Sequence, residues 1–235
     1  MKICVLSDLH GILPHIEEDS EITLICGDIV PLKMQRNIPQ SKKWLETDFL
    51  YWVNNLPTEK VYFIGGNHDF IFDGHFSKTD SLVLNRISNG KLCYLDGFTT
   101  IDHLSNDGFT YHIFGTPYCH IFGNWAFMRE DDMLKKLYDH IPNECDILLS
   151  HDAADMNGLG IVPPNAWHPT ESVNAGNSIL TEAINEKKPR YYFCGHIHEG
   201  NHEISEFEGT ICANVSILDD TYEYTFSPLF LEISK

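Results

Sequence analysis

Five short apolar runs punctuate the chain, at residues 2–6, 22–26, 61–64, 147–149 and 191–194. Each has the length of a strand buried on both faces, where a near-continuous apolar run replaces strict alternation. Each ends in a polar cluster: Ser7-Asp8-Leu9-His10, Gly27-Asp28, Gly65-Gly66-Asn67-His68-Asp69, Ser150-His151-Asp152 and Gly195-His196-Ile197-His198. Strand followed by polar turn, five times, is the layout of an α/β sheet with a site at its strand C-termini. Helical spacing of Trp44, Leu45, Phe49, Trp52 and Val53 predicts a helix over 41–56, closed by Pro57. Further helices are predicted over 131–140 and 178–186, and a strand over 111–115. The end of the chain differs, with strands joined by turns over 203–204, 210–213 and 222–233. Two facing sheets flanked by helices accommodate both patterns. No repeat, low-complexity tract or Gly/Ser linker divides the chain, so one domain over 1–235 is expected. Residues 152–176 carry four glycines or prolines before residue 165, with Trp167 and His168 following. So long a loop inside a compact domain is functional or disordered.

The five clusters together supply Asp8, His10, Asp28, Asn67, His151, His196 and His198. Hard oxygen and borderline nitrogen ligands suit Mn, Fe or Zn better than Ca, which takes oxygen, or Cu(I), which takes sulfur. One ion cannot use seven protein ligands and still admit a substrate. Two ions can, if a carboxylate bridges them. Asp28 is the natural bridge, being the one carboxylate of its cluster and following a glycine. In Asp8-Leu9-His10 and His196-Ile197-His198 the ligands are two apart. On an extended segment they share a face while Leu9 and Ile197 turn into the core. Taken singly, each cluster has a plainer reading: Gly-Asp is a common turn, Asn67-His68-Asp69 a capped loop, His151 a core imidazole. The five in this order are what carry the metal reading.

Composition narrows the partners. There are 16 Lys+Arg against 34 Asp+Glu, a formal charge of −18. A general nucleic-acid binder needs a basic face, and so does adhesion to an anionic membrane. Two divalent ions would bring the charge to about −14 and concentrate positive charge in one cleft. That arrangement repels long polyanions more than small anions. The seven cysteines form no CxxC pair and several lie in apolar runs, which points to reduced thiols in a reducing, cytoplasmic setting. No signal peptide and no membrane-length apolar stretch is read from the sequence.

These motifs resemble the signature of the calcineurin-like metallophosphoesterases, in the family's order from residue 8 to 198. The resemblance implies a four-layer αββα sandwich with two mixed β-sheets. It implies two divalent ions, manganese ahead of iron and zinc. Asp8, His10, Asp28 and His198 would hold one, and Asp28, Asn67, His151 and His196 the other. His68 matches the histidine that protonates the leaving oxygen while a metal-bridging hydroxide attacks phosphorus. Asp69 would orient or cap rather than ligate. Gly115-Thr116-Pro117-Tyr118, Gly123-Asn124-Trp125-Ala126-Phe127 and Ala213-Asn214-Val215-Ser216 resemble the MPPED-like branch, which is associated with phosphodiesterase activity, including on cyclic nucleotides. One departure stands out. Phosphoprotein phosphatases carry an Asp and an Arg shortly after Gly-Asp, and 28–33 has neither at the expected place. An Arg fork grips a dianionic phosphate, so its absence favours a monoanionic diester.

The expected activity is therefore hydrolysis of a small phosphodiester. The alternatives are a phosphomonoesterase on a small nucleotide or sugar phosphate, a nuclease that the charge opposes, and a binding scaffold that has lost catalysis. The last usually lacks ligands that are all present here. No substrate-binding residue is assigned, although His120, Trp125 and the 152–176 loop are placed to shape a pocket. Trp125 is equally readable as a core aromatic. Oligomeric state is not legible.

Overall fold

All five apolar runs fold as parallel strands, and they divide between two sheets. The structure, a computed structural model, describes residues 1–164 and 170–235, so Trp167 and His168 lie outside the described residues. The first sheet is ordered Leu229–Glu232, Lys2–Leu6, Ser20–Ile25, Thr58–Phe63, Leu92–Tyr94, with only the C-terminal strand antiparallel. The second runs Ser205–Phe207, Thr210–Asn214, Tyr191–Cys194, Ile147–Ser150, Thr110–Thr116, Ile101–Leu104, with antiparallel pairs at both edges.

The apolar runs are continuous because both faces of each strand are covered. Ile3, Val5, Ile22 and Leu24 meet Ile113, Ile147, Leu149 and Phe193 in a core between the sheets. Their neighbours Cys4, Leu6 and Ile25, and Phe114, Leu148 and Tyr192, face the other way, into the apolar layers that include the helices. The result is the expected α/β sandwich of four layers.

The helices depart from expectation in detail. The one predicted over 41–56 begins at Ile38, where the Asn37 side chain accepts the Gln40 N–H at 3.2 Å. It widens into a π turn over Leu45–Phe49 and ends at Asn55, before the extended Leu56 that precedes Pro57. Helices Asp131–Tyr138 and Ser178–Lys187 lie where the spacing puts them. A further helix, Lys78–Ile87, was not anticipated, since Leu84 is the one residue it buries. Its signal is local: Ser77 and Asp80 form a reciprocal capping box. The strand expected over 222–233 is confined to Leu229–Glu232, and Tyr222 sits in a turn with φ +64°. Within the long loop, Ile161–Val162 pairs with Val173–Asn174.

What positions the site is the seam between the sheets. Past the strand ends, Ser7 pairs with Ser216 in an isolated parallel bridge, its N–H donating to Val215 O at 2.8 Å. This bridge ties the C-terminal ends of the two sheets together. Among the described residues no helix is long and apolar enough to cross a membrane.

Candidate metal centre and substrate cavity

The seven candidate ligands and His68 all lie at this seam. From the first sheet come Asp8 and His10, Asp28, and Asn67 and His68. From the second come His151, His196 and His198. Asp8 and His151 are fully buried and Asp28 is 2% exposed.

The backbone that presents them is not extended. Asp8, His10, Asp28 and His196 have φ of 56°, 41°, 52° and 69°. The strand stops at Leu6, and the chain then curls while staying bonded to the neighbouring cluster: Asp8 N–H to Gly27 O at 3.0 Å and His10 N–H to Asp28 O at 2.8 Å. The i, i+2 expectation thus reaches the right outcome by the wrong geometry. Leu9 and Ile197 are buried as expected, but left-handed turns, not a pleat, aim the ligands. Non-glycine residues in this region are uncommon and concentrate where function demands them. Two glycines make room: a Cβ on Gly66 would collide with the Asp28 carboxylate, and one on Gly195 with that of Asp8.

Three sets of ligand atoms converge, each within 4.8 Å of one another: Asp8, His10 and His198; His10, Asp28 and His68; Asp8, Asp28 and His151. Asp28 belongs to two of these, and its Oδ2 lies 3.5 Å from His10 Nε2 and 3.4 Å from His151 Nε2. Asn67 joins through its side chain, 2.8 Å from His151 Nε2. His196 lines the cavity, with its ring 5.1 Å from that of His151, and its backbone N–H donates to Asp8. No cysteine takes part in these three sets.

The charges are strongly coupled. Burial opposes ionisation of Asp8, but His198 and then His151 hold its carboxyl below the usual range. Asp28 is held well below it by His151 and His68, again against burial. Burial would depress His151, yet Asp28 pushes it up to about 10; His198 rises to about 9 against burial because of Asp8. His10 goes the other way, to about 4, since burial outweighs the carboxylates, and His196 also falls to about 4 from burial and His151. Asp69 caps rather than joins. Its carboxylate accepts the N–H groups of Val30, Ile29 and Gly66 at 2.8, 3.1 and 2.9 Å, while burial and Asp28 push its pKa up to about 7.

Over the ligands opens a cavity of about 430 Å³ lined by polar atoms of Asp28, Asn67, His68, His196 and His198. A wider groove of about 680 Å³ beside residues 13–16 contains no member of these clusters, so size does not pick out the site. Within the smaller cavity, buried carboxylates and imidazoles converge below aromatic walls.

The sequence profile of the calcineurin-like phosphoesterases matches residues 1–200. The chain belongs to that family. Calcineurin-like phosphoesterases depend on two metal ions, and the ligand sets above are the candidates here. Among curated relatives, the metallophosphoesterase domain-containing protein 1 of Homo sapiens is 24% identical over 245 aligned positions, covering 98% of this chain and 70% of that protein. This agrees with the branch resemblance in the sequence. The fold is similar to that of a phosphopantetheinyl hydrolase from Mycobacterium tuberculosis, with a TM-score of 0.58, 11% identity and coverage of 94% of this chain and 90% of that one. It is also similar to the protein TT1561 of Thermus thermophilus, with a TM-score of 0.53, 11% identity and coverage of 91% and 88%.

Around these ligands, Gln35, Phe122 and Tyr222 had no sequence signal, while His120, Trp125 and the 152–176 loop were expected to shape a pocket. Gln35 Oε1 lies 2.6 Å from His68 Nδ1, although 33 residues separate them. Phe122 and Tyr222 line the cavity, as does Ala175 from the long loop. Trp125 is a wall rather than a core residue, half-buried with its ring 4.4 Å from that of His68. His120 lines the cavity with its Nδ1 2.9 Å from Asp152, which raises its pKa. Arg36 stands at the rim, 4.1 Å from the Phe70 ring and 5.3 Å from that of Trp125, and donates to Asn124 O at 2.6 Å.

Proposed function

We propose that this chain hydrolyses a small phosphodiester with two divalent ions, manganese first, in one catalytic domain spanning 1–235. The supporting observation is the convergence of carboxylate, imidazole and amide groups from five strand ends beneath one aromatic-walled cavity.

The residues fit such ions. His10 is buried, and neither of its ring nitrogens has a hydrogen-bond partner. His151 Nδ1 is engaged by Cys26 O at 2.8 Å and His198 Nδ1 by Asp219 O at 2.8 Å. Donation from Nδ1 fixes the tautomer whose Nε2 lone pair faces the carboxylates. The protons that Asp28 and Asp8 draw onto His151 and His198 mark where a cation is favoured. Asp8, His10, Asp28 and His198 would hold one ion, and Asp28, Asn67, His151 and His196 the other. Such ions supply Lewis acidity toward phosphoryl oxygens and a water made acidic at neutral pH.

The protein's own groups do the rest. The backbone N–H of His68 donates to Asp28 Oδ1 at 2.7 Å and its Nδ1–H to Gln35 Oε1 at 2.6 Å, so Nε2 is left to face a departing oxygen, which the imidazolium form would protonate, passing to neutral imidazole. Among the described residues no lysine or arginine lines the cavity, and Arg36 is engaged at the rim. A dianionic monoester would lack a guanidinium fork, which a monoanionic diester needs less. Seven free cysteines support a reducing, cytoplasmic setting, and the charge of −18 opposes a long nucleic acid as substrate.

The test is turnover of the manganese-loaded protein on a bis-aryl and a mono-aryl phosphate. We expect kcat/KM at least about tenfold higher on the diester, roughly 1.4 kcal/mol of barrier. The reverse preference would make it a phosphomonoesterase. Inactivity on both with two ions bound would make it a binding scaffold.

A further inference from the structure

The turn that follows the second sheet contains a residue that no motif singles out. Residues 217–226 cross from the second sheet back to the first, beyond the part of the chain that matches the family profile. Backbone hydrogen bonds within it, Tyr222 N–H to Asp219 O at 2.9 Å and Thr225 N–H to Ile217 O at 3.0 Å among them, are joined by those of one side chain. Asp219 Oδ1 accepts from the Thr221 N–H at 2.9 Å, the Thr221 hydroxyl at 2.7 Å and the Glu223 N–H at 3.0 Å, while Oδ2 accepts from the Thr225 hydroxyl at 2.8 Å. At its apex stands Tyr222, whose φ of +64° is uncommon for a bulky residue. Glycine or asparagine would meet that backbone demand more easily. The turn nevertheless presents an aromatic ring.

The ring lies over the ligands. Its centroid is 5.0 Å from that of His10, 5.1 Å from His198 and 6.5 Å from His68, each near perpendicular. It therefore touches the imidazoles of three strand-end clusters at once. It is 39% exposed and lines the cavity. The turn is also coupled to the ligands, since the Asp219 carbonyl accepts from His198 Nδ1 at 2.8 Å. Tyr222 is thus preorganised by the contact that orients His198, and needs no reordering to meet a substrate. Among the described residues no guanidinium lines the cavity, so within it a phosphate ester meets charge at the imidazoles and carboxylates below. The apolar groups it meets around them are three aromatic rings, Phe122, Trp125 and Tyr222, beside the smaller Ala175 and Ile197.

We propose that Tyr222 is a substrate-contacting, specificity-determining residue, whose ring packs against a planar, uncharged ester group on phosphorus. The proposal rests on the phosphoesterase reading of the site. The contact comes from the ring face or edge rather than the hydroxyl, so Tyr222→Phe keeps it. Tyr222→Asn removes it while tolerating the left-handed backbone.

The experiment compares methyl(phenyl)phosphinate with dimethylphosphinate, monoanions like a phosphodiester but with P–C bonds in place of ester bonds, by calorimetry on the metal-loaded protein. Metal content is measured in every variant. The wild type is expected to bind the phenyl compound about fivefold or more tighter. That ratio should persist in Tyr222→Phe and fall to near one in Tyr222→Asn, with two ions retained in each. An unchanged ratio in Tyr222→Asn overturns the proposal. So does an equal loss of both compounds together with metal, which would make the turn a support for His198 alone. A wild type that binds neither compound overturns both this assignment and the phosphoesterase reading. A wild type that shows the phenyl preference yet hydrolyses no ester overturns the reading of activity and supports the contact.

Discussion

The two sheets bring opposite chemistry to the seam. The first supplies both carboxylates, Asp8 and Asp28, together with His10, Asn67 and His68. The second supplies imidazoles alone, His151, His196 and His198. The consequence is visible in the charges. His151 and His198 lie across the seam from Asp28 and Asp8 and are pushed up to about 10 and about 9. His10 on the first sheet and His196 on the second both fall to about 4, because burial outweighs the carboxylates at each, so a close carboxylate partner across the seam is what raises an imidazole. Neither half is a site alone. A carboxylate pair without imidazoles would repel itself in a buried setting, and the imidazoles without carboxylates would lose their protons to desolvation. The function belongs to the interface that the Ser7–Ser216 bridge closes.

The largest effect should come from the residue that serves both halves. Asp28→Asn is expected to lower kcat/KM on the order of 10⁴-fold, about 5.4 kcal/mol. Metal analysis should find both ions lost. Retention of two ions per chain would show that the halves are not joined through Asp28. His68→Ala comes next, with turnover down about 10²–10³-fold and metal content unchanged. The proximity of His68 to His10 and Asp28 gives this variant a sharp alternative outcome. If metal falls in parallel with activity, His68 is a ligand and the first half holds one more donor than assigned.

Chelation tests whether ions hold the halves together. Each ion present at about 100 times its dissociation constant would stabilise the folded chain by about 2.7 kcal/mol, or roughly 5–10 °C in Tm per ion. A thermal melt unchanged by chelator would mean that the seam is closed by packing alone. The smallest effect belongs to a carboxylate on the first half with no partner across the seam. Asp80 pairs with Lys42 at 2.6 Å and caps the helix that begins at Lys78. The Lys42 and Ser77 hydrogen bonds lower its pKa from 3.8 to about 2. A depressed carboxylate stabilises above its unfolded pKa, so this contribution is complete by about pH 4 and is lost as pH falls toward 2. Solvent screening keeps it near 1 kcal/mol. Denaturant melts of Asp80→Asn should show that difference at neutral pH and none near pH 2, with metal content untouched.

Much of this was legible along the chain. Strands such as 2–6 and 191–194 announce themselves because both faces are buried, and the polar residues ending them cannot be explained as core. Asp8, His10, Asp28, Asn67, His151, His196 and His198 were all identifiable from those positions. The helix at Lys78 escaped because capping, not periodicity, defines it. The spacing reads the backbone at Asp8, His10 and His196 as extended, because left-handed turns carry no obligatory residue type when the neighbouring backbone holds them.

The amino-acid pattern thus sets which groups meet and in what order, since hydrophobic periodicity places strand ends and polar residues there have few other uses. It says nothing of Gln35 behind His68 or of Tyr222 above three imidazoles, and it leaves Trp125 open between a pocket wall and a core aromatic. Those depend on loops packed across the seam between sheets. Contacts between segments tens of residues apart leave no local signature, because their geometry follows from how the two sheets are held together.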